Sequence, residues 1–269
     1  MNIEQLASAI RPRYPELAGK VALITGSSQG IGQGIALRLA REGMHVVIHG
    51  KDAPLVDETV AVFHALGMEA MGVCTNFSEP DGVTVLFDAL RSHHTELHVL
   101  VNNAGDLRRT HIHNATTDML DTQLAVNVRS PYVCSLQAAQ MMQAQKQGTI
   151  INISSVGGQR AHWRGLPYDV TKGALDAMTR VMSLDLAQDG VRVNAIAPGA
   201  IRTFKTPPPE TEIARQIEAR IPLGRMGTVL DIAAMVAFLA SDDAAYITGQ
   251  VLPVDGGISA QISPPGQPI

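Results

Sequence analysis

Seven short runs of β-branched and apolar residues alternate with longer stretches of helical periodicity, and this alternation restricts the fold more than any other feature of the chain. The runs are nearly continuous in apolar residues, as in parallel strands that helices cover on both faces. Crossovers between parallel strands need a helix and are right-handed. The sequence therefore predicts an α/β fold with one doubly wound parallel sheet, its strands at residues 21–25, 44–49, 69–74, 99–101, 149–153, 191–196 and 251–254.

Length and composition bound the organisation of the chain. The 269 residues, 45% of them hydrophobic, can form a full core, and we expect a single domain at 19–258 between an N-terminal extension (1–18) and a proline-rich tail (259–269). The formal charge of -4 and the scattered basic residues argue against nucleic acid or a membrane surface as partner. No apolar run reaches the ~18 residues of a spanning helix, and residues 1–10 do not resemble a secretory signal. We therefore expect a cytoplasmic protein.

Neither the cysteines nor the histidines form a recognisable metal or disulfide pattern. Cys74 and Cys134 lie in apolar stretches, form no CxxC motif and are too few for a disulfide framework, so both are predicted to be buried thiols. His111 and His113 form an HxH pair, but no carboxylate or cysteine follows at ligand spacing. No metal site is predicted.

A glycine-rich turn follows the first predicted strand and leads into a helical stretch. Glycines permit a tight turn and a close backbone approach, while free N–H groups at the start of a helix attract a pyrophosphate. Three residues separate the first two glycines, so the spacing departs from the usual GxGxxG fingerprint. The turn predicts a dinucleotide site, with a purely structural turn as the alternative; its residues are Gly26-Ser27-Ser28-Gln29-Gly30-Ile31-Gly32.

The end of the second predicted strand bears on which cofactor fits. An acidic residue there binds the ribose 2′-hydroxyl of NAD(H), whereas a basic one accommodates the 2′-phosphate of NADP(H). If Gly50 occupies this place, no carboxylate repels the phosphate and Lys51 can pair with it. If the strand ends two residues later, Asp52 takes the place and NAD(H) is favoured. We favour NADP(H) over NAD(H).

Tyr168 and Lys172 begin a predicted helix, and their i, i+4 spacing places the phenol and the ammonium on one face. A phenol is a poor base at neutral pH, but a nearby cation favours the phenolate and makes the group usable in acid/base catalysis. The same spacing also occurs on solvated helices. Support comes from Ser155, which follows the fifth strand at the end where open α/β sheets bind ligands, and from Asn103 and Asn127.

Together these residues resemble the short-chain dehydrogenase/reductase family over about residues 17–257. The resemblance is specific because the motifs occur jointly, in the family's order and spacing. It implies a Rossmann fold with a seven-stranded sheet, usually assembled as a homotetramer. It also implies hydride transfer between NAD(P)(H) and a carbonyl or alcohol. The matching motifs are Thr25-Gly26-x-x-x-Gly30-Ile31-Gly32, Asn102-Asn103-Ala104-Gly105, Asn127, Ser155, Tyr168-x-x-x-Lys172 and Pro198-Gly199.

The resemblance further implies a role for each matching residue. Tyr168 would be the acid/base, and Lys172 would bind the nicotinamide ribose and favour the phenolate. Ser155 would orient the substrate oxygen, and Asn127 would hold a proton-relay water. Besides Tyr168 and Lys172, the candidate cofactor contacts are Gly26, Ser28, Gln29, Gly30, Ile31, Gly32, Lys51, Asn76, Asn103, Ala104, Gly105, Pro198, Gly199, Ile201 and Thr203.

Two positions depart from the family's pattern. Where an aspartate commonly follows the third strand and meets the adenine, this chain has the uncharged Asn76. Where members that prefer NADP often carry a basic residue just before the second glycine, it has Gln29. Lys51 is then left to carry the preference for NADP(H).

Two segments are expected to border the substrate. Residues 156–167 supply the candidate contacts Gln159, His162 and Trp163, in addition to Ser155, although a surface or subunit contact is equally open for Trp163. Arg160 or Arg164 could receive an anionic group, while Asp106 and Leu107 flank the pocket from the other side. Residues 200–222 contain three consecutive prolines and a helical stretch at 210–220 but no predicted strand, and are expected to form a lid.

The sequence therefore predicts an NAD(P)(H)-dependent oxidoreductase acting on a small secondary alcohol or ketone. Within the family, 3-oxoacyl carrier-protein reductases and sugar or polyol dehydrogenases both remain open. A scaffold that senses nicotinamide without chemistry is the alternative from another class. The joint presence of Asn127, Ser155, Tyr168 and Lys172 argues against that alternative.

Overall fold

The computed structural model describes residues 3–266, and its centre is a sheet of seven parallel strands in the order β3-β2-β1-β4-β5-β6-β7. Each strand lies within two residues of a predicted one, so the doubly wound parallel sheet is confirmed. The strands are β1 (Val21–Ile24), β2 (His45–Gly50), β3 (Ala70–Cys74), β4 (Val99–Asn102), β5 (Gly148–Ile153), β6 (Val191–Pro198) and β7 (Val251–Val254).

Helices connect the strands and cover both faces of the sheet. A π-helical segment, Ala125–Arg129, joins the fifth helix to the sixth, so that residues 117–145 form one nearly continuous rod. The helices are α1 (Ile3–Ala9), α2 (Gly30–Arg41), α3 (Ala53–Ala65), α4 (Gly82–His93), α5 (Thr117–Leu124), α6 (Ser130–Gln145), α7 (Tyr168–Leu186), α8 (Glu212–Glu218) and α9 (Val229–Ala240). No helix within residues 3–266 combines the length and the apolar character of a membrane span.

Two apolar cores lie on opposite faces of the sheet. On one face α2, α3 and α9 bury side chains such as Leu37, Phe63 and Val236. On the other, α4, α6 and α7 bury residues such as Leu90 and Met142. Because both faces are covered, all residues of β1, β4 and β5 are buried, which explains their nearly continuous apolar sequence.

The edges of the sheet are less well covered, and there one prediction is wrong. Cys134 on α6 is a buried thiol, as predicted, and burial raises its pKa. Cys74 is exposed instead, because it ends the edge strand β3, in which Val73 alone is buried. The other edge strand, β7, is also only partly buried.

The strand order reverses between β1 and β4, and this reversal positions the site. From β1 the chain proceeds to β2 and β3 on one side, whereas β4 and the later strands lie on the other. A crevice opens beyond the carboxyl ends of two such strands, where α/β sheets bind their ligands. The glycine-rich turn after β1 and residues 103–105 after β4 meet in this crevice.

The excursion after β6 contains a short strand that the sequence does not predict. Ile201–Arg202 pairs in parallel with Gly227–Thr228, so the expectation of a strandless segment is wrong. Two-residue strands have too little periodicity to be read from sequence. The predicted helix at 210–220 is confirmed in shorter form as α8.

The N-terminal extension is attached to the fold. Leu6, Ala7 and Ile10 are buried against the first core. The backbone N–H groups of Arg13 and Tyr14 donate to the Glu42 carboxylate at 2.7 and 2.9 Å. Residues 1–2 of the predicted extension and residues 267–269 of the predicted tail lie outside the described residues.

Candidate active site

The glycine-rich turn has a backbone that larger residues would not fit. Gly26 and Gly30 have φ angles of +64° and +63°, in the left-handed region that favours glycine. A Cβ on Gly26 would lie 2.8 Å from the Cα of Ala104, and one on Gly32 would lie 2.3 Å from the Gly26 carbonyl oxygen. The turn is therefore packed directly against its own backbone and that of the segment after β4.

Asn103 fixes the turn from the neighbouring strand. Its side-chain Nδ2 donates to the carbonyl oxygens of Thr25 and Gly26, both at 2.9 Å. In return, the Thr25 hydroxyl oxygen accepts from the backbone N–H groups of Asn103 and Ala104 at 2.9 and 3.0 Å. The sequence suggested Asn103 as a cofactor contact, whereas its amide here positions the turn.

His49, on β2, supports the turn from the other side and was not singled out from the sequence. The Gly26 N–H donates to His49 Nδ1 at 3.1 Å, so Nε2 carries the ring proton and faces Thr75 at 3.0 Å. The ring stacks on Phe77 with centroids 4.3 Å apart. Burial lowers the pKa of His49 to about 4, so the imidazole is neutral near pH 7. A histidine directly after three aliphatic residues of the strand, 46–48, was the available signal.

The start of α2 fits an anionic group. The helix begins at Gly30, and the side chain of the preceding residue, Gln29, makes no capping hydrogen bond, so the first N–H groups of the helix remain free. A Cβ on Gly30 would meet only a Phe204 ring carbon, at 3.9 Å, so that side of the turn is open. Free N–H groups and the positive end of the helix dipole suit the pyrophosphate of a dinucleotide. Ser28, buried, and Ile31, half-buried, lie in the same turn.

Strand β2 ends at Gly50, the first of the two alternatives raised from the sequence. A Cβ there would lie 2.6 Å from the Ser28 hydroxyl oxygen, which ties the strand end to the turn. Lys51 follows and is exposed. Asp52 caps α3, its carboxylate accepting from the Leu55 N–H at 3.4 Å.

Asn76 follows β3 and is exposed, as its proposed place beside the adenine requires. Its side-chain oxygen accepts from the Ser78 N–H at 3.1 Å, and Nδ2 lies 3.5 Å from a Glu79 carboxylate oxygen. The side chain thus starts a turn at the edge of the crevice.

Tyr168 is the first residue of α7, and its side chain is nearly buried, with 5% exposure. Lys172, one turn later, is also buried, and its Nζ lies 5.5 Å from the centre of the phenol ring. Nζ donates to the Ile153 carbonyl oxygen at 2.8 Å, which fixes the ammonium at the carboxyl end of β5. Within residues 3–266 nothing hydrogen-bonds the phenol oxygen, so it can bond a reacting group.

Ser155 and Asn127 lie on the elements around this pair. Ser155 follows β5, and its hydroxyl oxygen accepts from the Gly157 N–H at 3.1 Å. Asn127 lies in the π-helical segment, an uncommon geometry that is frequent at functional sites. Its Nδ2 donates to the Asp106 carbonyl and the Thr171 hydroxyl at 2.9 and 3.0 Å, which joins the segment after β4 to α7.

A buried polar ladder beneath the site was also missed. Asn102 Nδ2 donates to Ser135 Oγ and Asn152 Oδ1 at 3.0 and 2.9 Å, and Asn152 Nδ2 donates to Thr179 Oγ1 at 2.8 Å. The chain of hydrogen bonds links β4 and β5 to α6 and α7. Buried networks of this kind fix the relative positions of their elements.

Residues 156–167 are attached to α7 by hydrogen bonds between His162 and Asp169. The His162 backbone N–H donates to the Asp169 carboxylate, and the ring Nδ1 lies 2.8 Å from its other oxygen. Trp163 is 84% exposed and its ring lies 5.5 Å from that of His111. Gln159 is exposed as well. These contacts place His162 in a structural pair and Trp163 on the surface.

The rings of His111 and His113 lie 4.8 Å apart, close enough to share a ligand. Across residues 3–266, however, no group of three or more potential metal-ligating side chains comes together.

The predicted nicotinamide side is built where β6 ends at Pro198. The Gly199 N–H donates to the Val254 carbonyl at 3.1 Å, and a Cβ on Gly199 would lie 2.8 Å from the Cα of Asp255. Ile201 is buried, while Thr203 accepts at its carbonyl from the Thr206 hydroxyl at 2.7 Å. This turn leads to the exposed Phe204.

Known proteins resemble the chain over nearly its whole length. A family model described as enoyl-(acyl carrier protein) reductase matches residues 26–259. Glucose 1-dehydrogenase 2 of Bacillus subtilis is 36% identical over 250 residues, covering 91% of this chain and 97% of that protein. The 3-oxoacyl-(acyl-carrier-protein) reductase FabG of Staphylococcus aureus is 37% identical over 240 residues, 89% of this chain and 98% of the reductase.

Solved structures have the same fold as this chain and match it over most of its length. A putative gluconate dehydrogenase from Agrobacterium tumefaciens superposes with a TM-score of 0.86 at 31% identity, covering 91% of this chain and 98% of that one. A putative NAD(P)-dependent gluconate 5-dehydrogenase from Beutenbergia cavernae, described with bound NADP, gives a TM-score of 0.85 at 34% identity, with the same coverage.

Proposed function

The chain belongs to the short-chain dehydrogenase/reductase family, and from this premise we propose that it is an NADP(H)-dependent oxidoreductase of a small secondary alcohol or ketone. The family binds a nicotinamide cofactor. The observation that carries the proposal is the pair formed by Tyr168 and Lys172. The phenol oxygen is free of protein partners within residues 3–266, and the buried ammonium lies on the same helix face.

The binding part of the mechanism rests on the crevice between β1 and β4. The free N–H groups at the start of α2 would hold the pyrophosphate, and Lys172 would hold the nicotinamide ribose. A bound nicotinamide supplies or accepts the hydride at the substrate carbon. Asn103, which braces the glycine-rich turn, would keep the N–H groups in position.

The protein's own chemistry is the movement of one proton at the substrate oxygen. In reduction the phenol of Tyr168 donates its proton to the carbonyl oxygen as that oxygen gains negative charge; in oxidation the phenolate accepts the hydroxyl proton. The Ser155 hydroxyl would donate to the same oxygen and orient it. The charge of Lys172 would attract negative charge on the phenol oxygen, and Asn127 would hold the water that exchanges the proton with solvent.

The preference for NADP(H) is supported by the end of β2. The strand ends at Gly50, the exposed Lys51 follows, and the Asp52 carboxylate is engaged as a helix cap. A 2′-phosphate would therefore meet a cation and no free carboxylate at this place.

The relatives' names offer three substrate classes: a neutral sugar, an acyl thioester and a sugar acid. A substrate of any of these classes would reach the site past residues 200–222, which we propose to be the lid of the domain at 19–258. Phe204, in this lid, is exposed and lies close to Gly30 of the glycine-rich turn.

We propose a homotetramer, the assembly that the family resemblance implies, and an exposed apolar face of α7 supports a contact between subunits. Val170, Val181 and Leu184 lie on one face of α7 and are 54%, 59% and 78% exposed. Exposed apolar side chains on one helix face suit a contact with another protein surface. A cytoplasmic location stays a prediction.

The proposal is tested by following nicotinamide absorbance over a panel of ketones, acyl thioesters, sugars, sugar acids and polyols, with NADP(H) and NAD(H) in parallel. Tyr168→Phe should lower kcat by about 10²- to 10⁴-fold, the usual contribution of a positioned acid/base. Cofactor affinity should change little, since the phenyl ring keeps its packing. Tyr246→Phe, at a fully exposed tyrosine, is the control. Unchanged turnover in Tyr168→Phe would reject the mechanism, and cofactor binding without any turnover would favour the scaffold alternative.

A further inference from the structure

Arg109 lies directly over the proposed acid/base residue. It belongs to a two-residue strand, Arg109–Thr110, that pairs antiparallel with Leu166–Pro167, immediately before Tyr168. The Arg109 guanidinium carbon is 4.6 Å from the centre of the Tyr168 ring, within the range of a cation–π contact. The strand pairing fixes the arginine backbone, and the ring contact fixes the guanidinium beside the reacting position.

The carboxylates nearest in sequence are already engaged by other groups. Nε and Nη2 of Arg108 donate to the Asp106 carboxylate at 2.9 and 2.5 Å. Burial alone raises the pKa of Asp106, but the hydrogen bonds from Arg108 outweigh it, and the pKa lies below its usual range. Asp169 holds His162. Arg109 has no carboxylate partner anywhere in the described part of the chain, from residue 3 to residue 266.

The surroundings of Arg109 add to its charge. Residues 105–115 and 156–169, which border the site, contain four arginines and two aspartates, although the whole chain has a net charge of -4. The other cation near the phenol, Lys172, is buried and bonded to the Ile153 carbonyl. A positively charged entrance to the site, formed by these two segments, attracts anions and concentrates them there, although the protein as a whole is acidic.

We propose that Arg109 binds a carboxylate of the substrate, which makes the substrate a hydroxy acid or an oxo acid, such as a sugar acid. The inference rests on the proposed function, because Tyr168 marks where the reacting oxygen lies. A guanidinium presents paired N–H groups that match a carboxylate, and it can do so while its flat face stays on an aromatic ring. The arginine would then select substrates whose carboxylate lies a few bonds from the reacting carbon.

D-gluconate and D-glucitol form a matched pair for the test, because they differ only in a carboxylate against a CH₂OH group. We expect wild-type enzyme with NADP⁺ to favour D-gluconate in kcat/KM. Arg109→Gln should lower kcat/KM for D-gluconate about 10- to 100-fold, the usual range for a lost charge-assisted hydrogen bond, mainly through KM. D-glucitol should change less than about twofold, since it has no charge to bind. Arg109→Lys should restore part of the loss.

Arg41→Gln is the control, since it removes the same charge at an exposed position in the last turn of α2, outside the segments that border the site. It should leave the preference for D-gluconate within about twofold. Calorimetric titration of both compounds into the NADP⁺ complex gives a readout independent of turnover. Wild type should bind D-gluconate more tightly than D-glucitol, and Arg109→Gln should abolish the difference.

Equal losses on both compounds would overturn the inference, because Arg109 would then act on Tyr168 or on the fold. Equal binding of both compounds to the wild-type complex would overturn it as well. Failure of the proposed function would give a different result from failure of this inference. Turnover would then survive in Tyr168→Phe, whether or not Arg109 is also replaced.

Discussion

The titration of one buried residue, His49, makes the stability of the folded protein depend on pH. Its pKa falls from 6.5 to about 4 on folding, chiefly through burial. Between these values the unfolded chain binds a proton that the folded protein does not, so stability is lost as the pH falls. The linkage amounts to about 3 kcal/mol once the pH lies below both values.

We therefore expect the unfolding free energy to decline between about pH 6.5 and pH 4, and His49→Asn to flatten that decline. His49→Asn keeps an acceptor near the Gly26 N–H but has no titrating ring. Denaturant unfolding across this range measures the slope. His94 and His98, whose pKa values burial also lowers, should add to this slope, whereas Asp176, whose pKa burial raises, should oppose it. His113→Gln, at an exposed histidine, should follow wild type, and a His49→Asn slope equal to that of wild type would contradict the account.

Lys51 should decide between the two cofactors. Lys51→Ala should raise KM for NADPH by about 5- to 20-fold, since a charge-assisted hydrogen bond to the 2′-phosphate is lost, and should leave KM for NADH unchanged. Lys146→Ala, at an exposed lysine paired with Asp189, is the control. Steady-state kinetics with both cofactors check the prediction, and an equal effect on NADPH and NADH would refute it.

The contacts of single residues were predictable from the sequence only where the spacing is local. Tyr168 and Lys172 share a helix face because the helical period places them there. Arg109 reaches Tyr168 through the pairing of its strand with residues far along the chain. Asn103 and His49 likewise act across neighbouring strands. Contacts between residues that are distant in sequence cannot be derived from sequence spacing. The roles of Arg109, Asn103 and His49 therefore had to come from the structure.

At the scale of elements, the turn between β1 and α2 should tolerate no side chain at Gly26. Gly26→Ala adds strain at φ +64° and a Cβ 2.8 Å from the Ala104 Cα. We expect it to weaken NADPH binding at least tenfold, because the displaced turn would misdirect the N–H groups of α2. Titration of intrinsic or cofactor fluorescence measures the affinity.

Gly67→Ala separates the effect of backbone strain at positive φ from the effect of the steric clash with Ala104. Gly67 also has a positive φ, +73°, but a Cβ there would meet nothing within 4 Å. It should cost about 1 kcal/mol of stability, as for other left-handed positions, and leave cofactor affinity unchanged. Equal effects of the two substitutions on NADPH binding would mean that the contact with Ala104 is unimportant.

The elements themselves were largely predictable, for a physical reason. Strands buried on both faces are continuous in apolar residues, and the helices between them keep their own period, so the seven runs stand out. The prediction failed at the periphery. The exposure of Cys74 depends on which strand lies at the edge of the sheet, and the strand Ile201–Arg202 depends on a partner beyond α8.

At the scale of the whole molecule, α7 should be an interface between subunits. Leu184→Glu would place a charge in that contact, and we expect it to reduce the assembly from a tetramer to smaller species, because burying an unpaired charge is costly. Native mass spectrometry and size-exclusion chromatography measure the assembly. Val85→Glu, at a half-exposed residue on α4, should leave it intact. A tetrameric Leu184→Glu variant would exclude this face of α7 as a contact.

The position of the site depends on the order of all seven strands in the sheet. The doubly wound parallel sheet was predictable from crossovers, but the place of its reversal, between β1 and β4, had to come from the structure. That reversal brings residues from positions 26 to 203 to one crevice. The substrate was not predictable, because its recognition depends on charges that neighbouring segments leave unpaired.

The central claim is that this crevice directs a hydride between nicotinamide and a carbonyl carbon with Tyr168 as proton donor. Its most direct measurement uses NADPH that carries deuterium at both C4 positions and the ketone of the panel that is reduced fastest, with mass spectrometry of the product. The account predicts one deuterium on the carbinol carbon with wild type and almost no product with Tyr168→Phe. Product without deuterium, or equal product from both proteins, would contradict it.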